Sequence, residues 1–339
     1  MDVSDKELVV SLGRLFEDLN AEIYSKRVFA NRESGFAALV KWLEKQTNRS
    51  LSVQVVMEAT GVYHQKLAYY LIDRGYSPSI VLPNKVSNYM RTLEIKTITD
   101  SSCADAIALL GLSRKLDTWQ APKVIYRDLQ QLTRERNQII RELTMIKNQL
   151  HAEQVEVSPN SRSLARLGKR ISLLKKQEEE IRTDIQLCLQ QDPQVHQEVR
   201  RICSIAGIGL LTAVVILAET NGFELIRNKR QLSSYAGFDV KEKLSGTSVK
   251  GKPRISKRGN RYLRQAMHFP ALTAIRYEGR FQNLYMRLVD RHGVKMKALV
   301  AVQRGLLEMA YILFKNRSVY QEDYQQRVRS NPLLEQTTP

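Results

Sequence analysis

Ser245 stands beside Gly246 and just upstream of a run of positive charge. The run holds Lys250, Lys252, Arg254, Lys257, Arg258, Arg261 and Arg264, with no acid between its ends. A small hydroxyl in that field is placed to attack a phosphate of a polyanion. The glycine lets backbone approach a ligand, and the cations hold phosphates through charge-assisted hydrogen bonds. The same Ser-Gly pair is also ordinary loop punctuation.

A second set of chemistry-bearing residues lies far upstream. Asp2, Glu58, Asp100 and Asp105 fall at the ends of predicted strands or in one predicted helix. Carboxylates gathered this way offer the oxygen ligands that a hard cation, Mg²⁺ or Mn²⁺, prefers. Two such ions about 3.5–4 Å apart stabilise both attacking and leaving oxygens of a phosphoryl transfer. Taken singly, each acid has a plainer role: Asp100 as a helix cap, Asp105 as a surface acid, Asp2 as an ordinary terminal residue. Their joint order in one layer is what favours a metal.

The elements that position these groups follow from the hydrophobic pattern. Up to about residue 120, strands over Leu8–Leu12, Glu22–Phe29, Leu51–Met57 and Ser79–Leu82 alternate with helices over Glu33–Lys45, Val62–Arg74, Asn84–Met90 and Asp100–Leu112. That rhythm predicts an α/β layer. Residues 121–200 carry two heptad-like apolar series, from Leu129 to Leu150 and from Leu164 to Ile185, broken only at Arg136 and Glu178. They predict a coiled-coil hairpin linker turning at Ser158–Ser161, each arm roughly 30 Å long. Residues 201–316 read as a mostly helical domain. Its Ile205–Gly209 turn resembles a helix-hairpin-helix loop, in which Gly207 and Gly209 would offer backbone N–H groups to a phosphate. A tight glycine turn without a ligand reads equally well. Residues 317–339 form a polar tail expected to be poorly ordered.

Composition narrows the partner. The net charge is +18 over 339 residues, which points to nucleic acid. No apolar run approaches a membrane span, and no secretory signal opens the chain. Three scattered cysteines fit a reducing cytosol and argue against a zinc ribbon or a disulfide framework. His64 reads as a packed or surface histidine, and Trp119 as a packing anchor at a hinge.

Several segments together resemble the insertion sequence 110 family of transposases. They are E-A-T-G-V-Y from Glu58, K-T-I-T-D from Lys96, W-Q-A-P from Trp119, I-A-G-I-G-L-L-T-A from Ile205, Y-A-G-F from Tyr235, Ser245-Gly246, and I-S-K-R-G-N-R-Y-L-R from Ile255. The resemblance runs from residue 1 to about 316. It implies a RuvC-like (RNase H-like) N-terminal domain, a coiled-coil linker and a mostly α C-terminal transposase domain. It further implies an Asp-Glu-Asp-Asp metal site, a serine nucleophile that joins covalently to DNA, and a structured non-coding guide (bridge) RNA that pairs with donor and target DNA. The matching positions are Asp2, Glu58, Asp100 and Ser245. The metal and serine fall in different domains, so the site is expected to assemble between protomers of a dimer or tetramer. A cytoplasmic, nucleoid-associated bacterial protein is the implied setting.

Two departures stand out. Only Met1 precedes the first acid, where the family has an apolar strand; this predicts a late start or a missing half-strand, a weakened sheet and a poorly anchored Asp2. The fourth acid's aligned place is Cys103, so Asp105 is taken as a shifted ligand. Two rival readings remain: a junction-resolvase-type nuclease that uses water, and an inactive nucleic-acid binder.

Overall fold

The computed structural model describes residues 1–18, 20–47, 53–93, 95, 97–224, 226–241, 244–245, 249–250, 254–277 and 279–321, with 244–245 and 249–250 described as backbone. The chain separates into two compact units, Met1–Ala121 and Pro122–Pro339.

The first unit holds β1 (Asp2–Val3), β2 (Glu7–Leu15), β3 (Ala21–Ala30), α1 (Glu33–Gln46), β4 (Val55–Glu58), α2 (Gln65–Ile72), β5 (Pro78–Val81), α3 (Pro83–Met90) and α4 (Asp100–Ser113). β1, β2 and β3 are antiparallel neighbours, and β4 and β5 run parallel. Two backbone hydrogen bonds join the groups: the Met1 nitrogen donates to Val56 O at 2.8 Å, and Glu58 N–H donates to Met1 O at 3.3 Å. The strands thus follow the order 3-2-1-4-5, which is compatible with a RuvC-like domain.

The expectation that Asp2 is poorly anchored does not hold. β1 is only two residues long, but Asp2 pairs with Val9 and Val3 with Leu8 on one side, while Met1 bridges to β4 on the other. Met1, Val3, Leu8 and Met57 are buried in one core with α1 and α2. Trp119 does anchor the end of this unit: its N–H donates to Pro78 O at 2.7 Å and its ring meets Tyr69 edge-on. Helix α2 starts three residues later than the pattern predicts, because Gly61 to His64 form a turn first.

The second unit begins with α5 (Val124–Gln154) and α6 (Ser161–Gln191), followed by α7 (Pro193–Cys203) and α8 (Leu210–Thr220). Next come α9 (Lys229–Ala236), β6 (Val240–Lys241), β7 (Leu244–Ser245), β8 (Val249–Lys250), β9 (Arg254–Ile255), α10 (Arg261–Ala266), α11 (His268–Ala274), α12 (Arg280–His292) and α13 (Lys295–Lys315). α5 and α6 form an antiparallel hairpin of 31-residue arms, about 46 Å each at 1.5 Å per residue, longer than the pattern predicts. Asn160 caps α6 through its side-chain oxygen.

The two breaks in the apolar series turn out to be partners. Arg136 donates to Glu178 Oε1 at 2.7–2.8 Å, and Arg182 donates to the same oxygen. Burial alone pushes the Glu178 carboxyl up, and the bonds from Arg182 and Arg136 overturn this and hold it below its ordinary range. The hairpin base, with Leu129, Ile181 and Ile185, shares one core with α7, α8 and α13. Among the described residues no helix is long and apolar enough to cross a membrane.

Candidate functional site

In the first unit, Asp2 comes within electrostatic reach of both Asp100 and Glu58. Asp2 is held by the β1–β2 ladder, Glu58 ends β4, and Asp100 opens α4. Thr99 and Ser102 form a reciprocal capping box that fixes where α4 begins. Burial, and then the Asp100 charge, push the Asp2 carboxyl up; burial, and then the Asp2 charge, do the same to Glu58.

The fourth predicted acid, Asp105, is held by partners of its own, while its charge still reaches the Met1 amine beside Asp2 and Glu58. Asp105 Oδ1 accepts from Ser11 Oγ at 2.7 Å and Oδ2 from Lys26 Nζ at 2.6 Å, so both oxygens serve strands β2 and β3. Cys103, on the same helix, also feels the cluster. Burial raises its thiol, and Asp2, Glu58 and Asp100 raise it further. The reason is helical phase: Asp105 lies five residues past Asp100 and projects to another face, while Cys103, three past it, shares the face.

Among the described residues, no three His, Cys, Asp or Glu side chains stand close enough to enclose an ion. The donor chemistry of Asp2, Glu58 and Asp100 nevertheless suits a hard divalent cation: all are carboxylates, and the repulsion of Asp2 by Asp100 and of Glu58 by Asp2 is what a cation relieves.

This repulsion has a consequence for stability. A carboxyl whose folded pKa lies above its unfolded value binds a proton on folding. Its favourable contribution is present in acid and is lost as pH rises through the raised pKa. At neutral pH the ionised cluster therefore opposes folding. Glu58→Gln is expected to raise Tm by roughly 2–4 °C in metal-free buffer at neutral pH. Scanning calorimetry with and without Mg²⁺ checks this, and a lower Tm would contradict the repulsion. Asp105→Asn is expected to do the opposite, lowering Tm and leaving the Mg²⁺ response intact.

In the second unit, Ser245 ends a nested ribbon. β6 pairs with β9, and β7 with β8, placing Ser245 opposite Val249. The side chains of Ser245 and Lys250, and all of Gly246 and Lys252, lie outside the described residues.

The rest of the basic run splits into two roles. Arg254, Lys257, Arg258 and Arg261 are exposed. Arg264 Nη1 is spent on Ala236 O at 2.8 Å and Gly259 O at 3.2 Å, and burial pulls this guanidinium below its ordinary pKa. Arg264 thus latches the turn that presents the other four. Gly259 permits that turn: at φ +146°, a Cβ there would stand 2.4 Å from Tyr235 O.

The predicted phosphate-binding glycines also separate. Gly207 (φ +91°) is pressed against α11, where a Cβ would meet Pro270 O at 2.8 Å. It serves a packed turn. Gly209 is exposed at the N-cap of α8, with open space around it.

Sequence reasoning missed the group that fastens this region. Glu219, buried at the end of α8, accepts two bonds from Arg134 of α5 (Nε 2.7 Å, Nη2 2.8 Å) and one from Asn260 Nδ2 at 2.6 Å. Those bonds hold the Arg134 guanidinium above its ordinary pKa. Asn260 Oδ1 in turn caps α10. A lone acid closing the apolar run from Ala213 to Ala218 was the available signal.

Comparison with known proteins gives this geometry its context. Residues 1–159 match a transposase profile of the DEDD type found in IS110 elements, and residues 199–286 match the transposase IS116/IS110/IS902 family. The pilin gene-inverting protein of Moraxella bovis is 26% identical over 290 residues, covering 85% of this chain and 88% of that protein. The transposase for insertion sequence element IS1111A of Coxiella burnetii is 23% identical over 295 residues, covering 78% and 79%. The first profile covers the whole carboxylate-bearing unit and runs on through α5, and the second lies within the unit that carries the serine. The chain belongs to the IS110 family of transposases and acts as a transposase or site-specific DNA recombinase.

Proposed function

We propose that the chain exchanges DNA strands through a covalent serine intermediate. The observation that carries this reading is the grouping of Asp2, Glu58 and Asp100 at β1, β4 and the start of α4, where Asp100 raises the Asp2 carboxyl and Asp2 raises that of Glu58. These three carboxylates would hold Mg²⁺ or Mn²⁺. When bound, such an ion neutralises phosphate charge and makes a hydroxyl a better nucleophile.

Ser245 Oγ attacks a DNA phosphorus. The Oγ–P bond forms, the bond from phosphorus to the 3′ oxygen breaks, and the proton ends on the departing 3′-hydroxyl. Attack by a 3′-hydroxyl of the partner strand reverses the step and joins the new pair, so no external energy source is consumed. Arg254, Lys257, Arg258 and Arg261 grip the backbone and contribute little sequence discrimination. Sequence choice falls to a structured guide RNA paired with donor and target. The α5–α6 hairpin acts as a coiled-coil arm between protomers, so that cutting waits for assembly. The pilin gene-inverting relative supports conservative exchange, since inversion rejoins every end it cuts.

The test is a denaturing gel of the protein with its element ends, flanking RNA and Mg²⁺. A retarded, nuclease-sensitive protein band supports the serine intermediate. Cut DNA with no such band overturns it in favour of a water-using nuclease of junction-resolvase type.

A further inference from the structure

A cavity of about 530 Å³ opens in the second unit where the start of α5, the outer face of α7, the turn after α8 and the end of α13 meet. Four cations line it: Lys123, Arg201, Lys315 and Arg317. No carboxylate among the described residues pairs with any of the four. The acids present are already engaged. Glu198 accepts from Tyr126 Oη at 2.6 Å and from Gln194 at 3.4 Å, and Glu224 accepts from Asn221 Nδ2 at 2.6 Å. The start of α5 adds to the positive field, because Lys123 offers its first turn no side-chain cap.

Arg317 supplies an independent pointer. It occupies the left-handed position that closes α13 (φ +51°), with its N–H on Phe314 O and the next N–H on Leu313 O. Glycine is the usual residue in that motif, since a Cβ is disfavoured there. An arginine held at a conformational cost, with its side chain lining a cationic cavity, is an outlier that points to a role for the side chain.

We infer that this cavity is a phosphate-binding site for a nucleic-acid strand, one nucleotide deep, separate from the serine and from the basic run. Its volume falls in the range of small-molecule pockets and suits a nucleotide better than a bare phosphate ion. The inference rests on the nucleic-acid chemistry of the proposed function, but on neither Ser245 nor the carboxylates.

The experiment measures fluorescence anisotropy of short single-stranded DNA and RNA of one sequence, across a salt series, with Arg317→Gly, Arg201→Gln and Ser245→Ala. Arg317→Gly is expected to melt no lower than wild type, because the cap favours glycine, and to bind several-fold more weakly. Each of the two arginine variants is expected to flatten the salt dependence by about 0.7 for every single-strand phosphate it no longer neutralises. A loss confined to the DNA or the RNA arm supports the site and names the strand. Unchanged affinity and slope in both arginine variants overturns it, as does a melting point that falls in Arg317→Gly. Displacement of the strand by adenosine monophosphate alone, at matched nucleotide concentration, overturns the strand as ligand in favour of a free nucleotide. Ser245→Ala binding like wild type while losing exchange separates this site from the catalytic reading.

Discussion

Ser245→Ala is expected to abolish the covalent protein–DNA species and to reduce strand exchange by about 10⁶-fold, the scale on which enzymes fail when a nucleophile is removed. The loss falls on chemistry and not on folding. Ser245 takes part in its ladder through backbone, opposite Val249, so alanine keeps the β7–β8 pairing. Exposed cations Arg254, Lys257, Arg258 and Arg261 are untouched, so the backbone grip proposed for them is expected to remain and DNA affinity to stay within about twofold. Single-turnover assays with labelled ends, read on denaturing gels beside a binding titration, separate the two quantities. An adduct that persists in the variant transfers the nucleophile to another residue. Cleavage that persists without an adduct assigns the attack to water.

Arg134→Ala is expected to produce the largest stability loss, about 3–5 kcal/mol, because it strips the partner from a buried carboxylate. Glu219 has a side-chain exposure of only 1%, and Arg134 supplies two of its short bonds. Asn260 and a long bond from Gln130 at 3.4 Å are left to satisfy it. A loss of this size lowers Tm by about 10 °C in a unit of this length. Calorimetry and urea titration check it. The paired change Arg134→Met with Glu219→Leu is expected to recover much of the loss, since the unpaired charge goes with its partner. Its cost then appears elsewhere. Asn260 loses an acceptor that orients it, so the turn bearing Lys257 and Arg258 is expected to hold DNA less firmly even in a protein that melts normally. Equal destabilisation in the single and paired variants would show that shape, not charge, fastens the region.

Much of the architecture was legible in the sequence because burial leaves a period. Strands β2 to β5 and helices α1, α3 and α4 fall where alternation and helical spacing put them, and the hairpin follows from its apolar series. What the pattern could not carry was side-chain direction. Asp105 looked like a ligand because its type was right, but only the fold brings Ser11 and Lys26 to its two oxygens. Arg264 looked like its cationic neighbours, although burial and two carbonyls make it a latch. Gly207 and Gly209 read as a pair in a phosphate loop, while their surroundings divide them into a packed turn and an open cap. Glu219, Arg134 and Asn260 were invisible as a group, being 85 and 41 positions apart along the chain. Long-range polar bonds of this kind have no period to read.

The bond between Arg136 and Glu178 fixes which turn of one arm faces which turn of the other. Inserting a residue in one arm alone would bury one of these charges against an apolar layer. A change of length is therefore tolerated only as matched blocks beyond the pair, about seven residues in each arm at a time. Each such block moves the bend of the hairpin by about 10 Å. Reach is therefore quantised: insertions that keep this pair lengthen the arm in coarse steps rather than along a continuum.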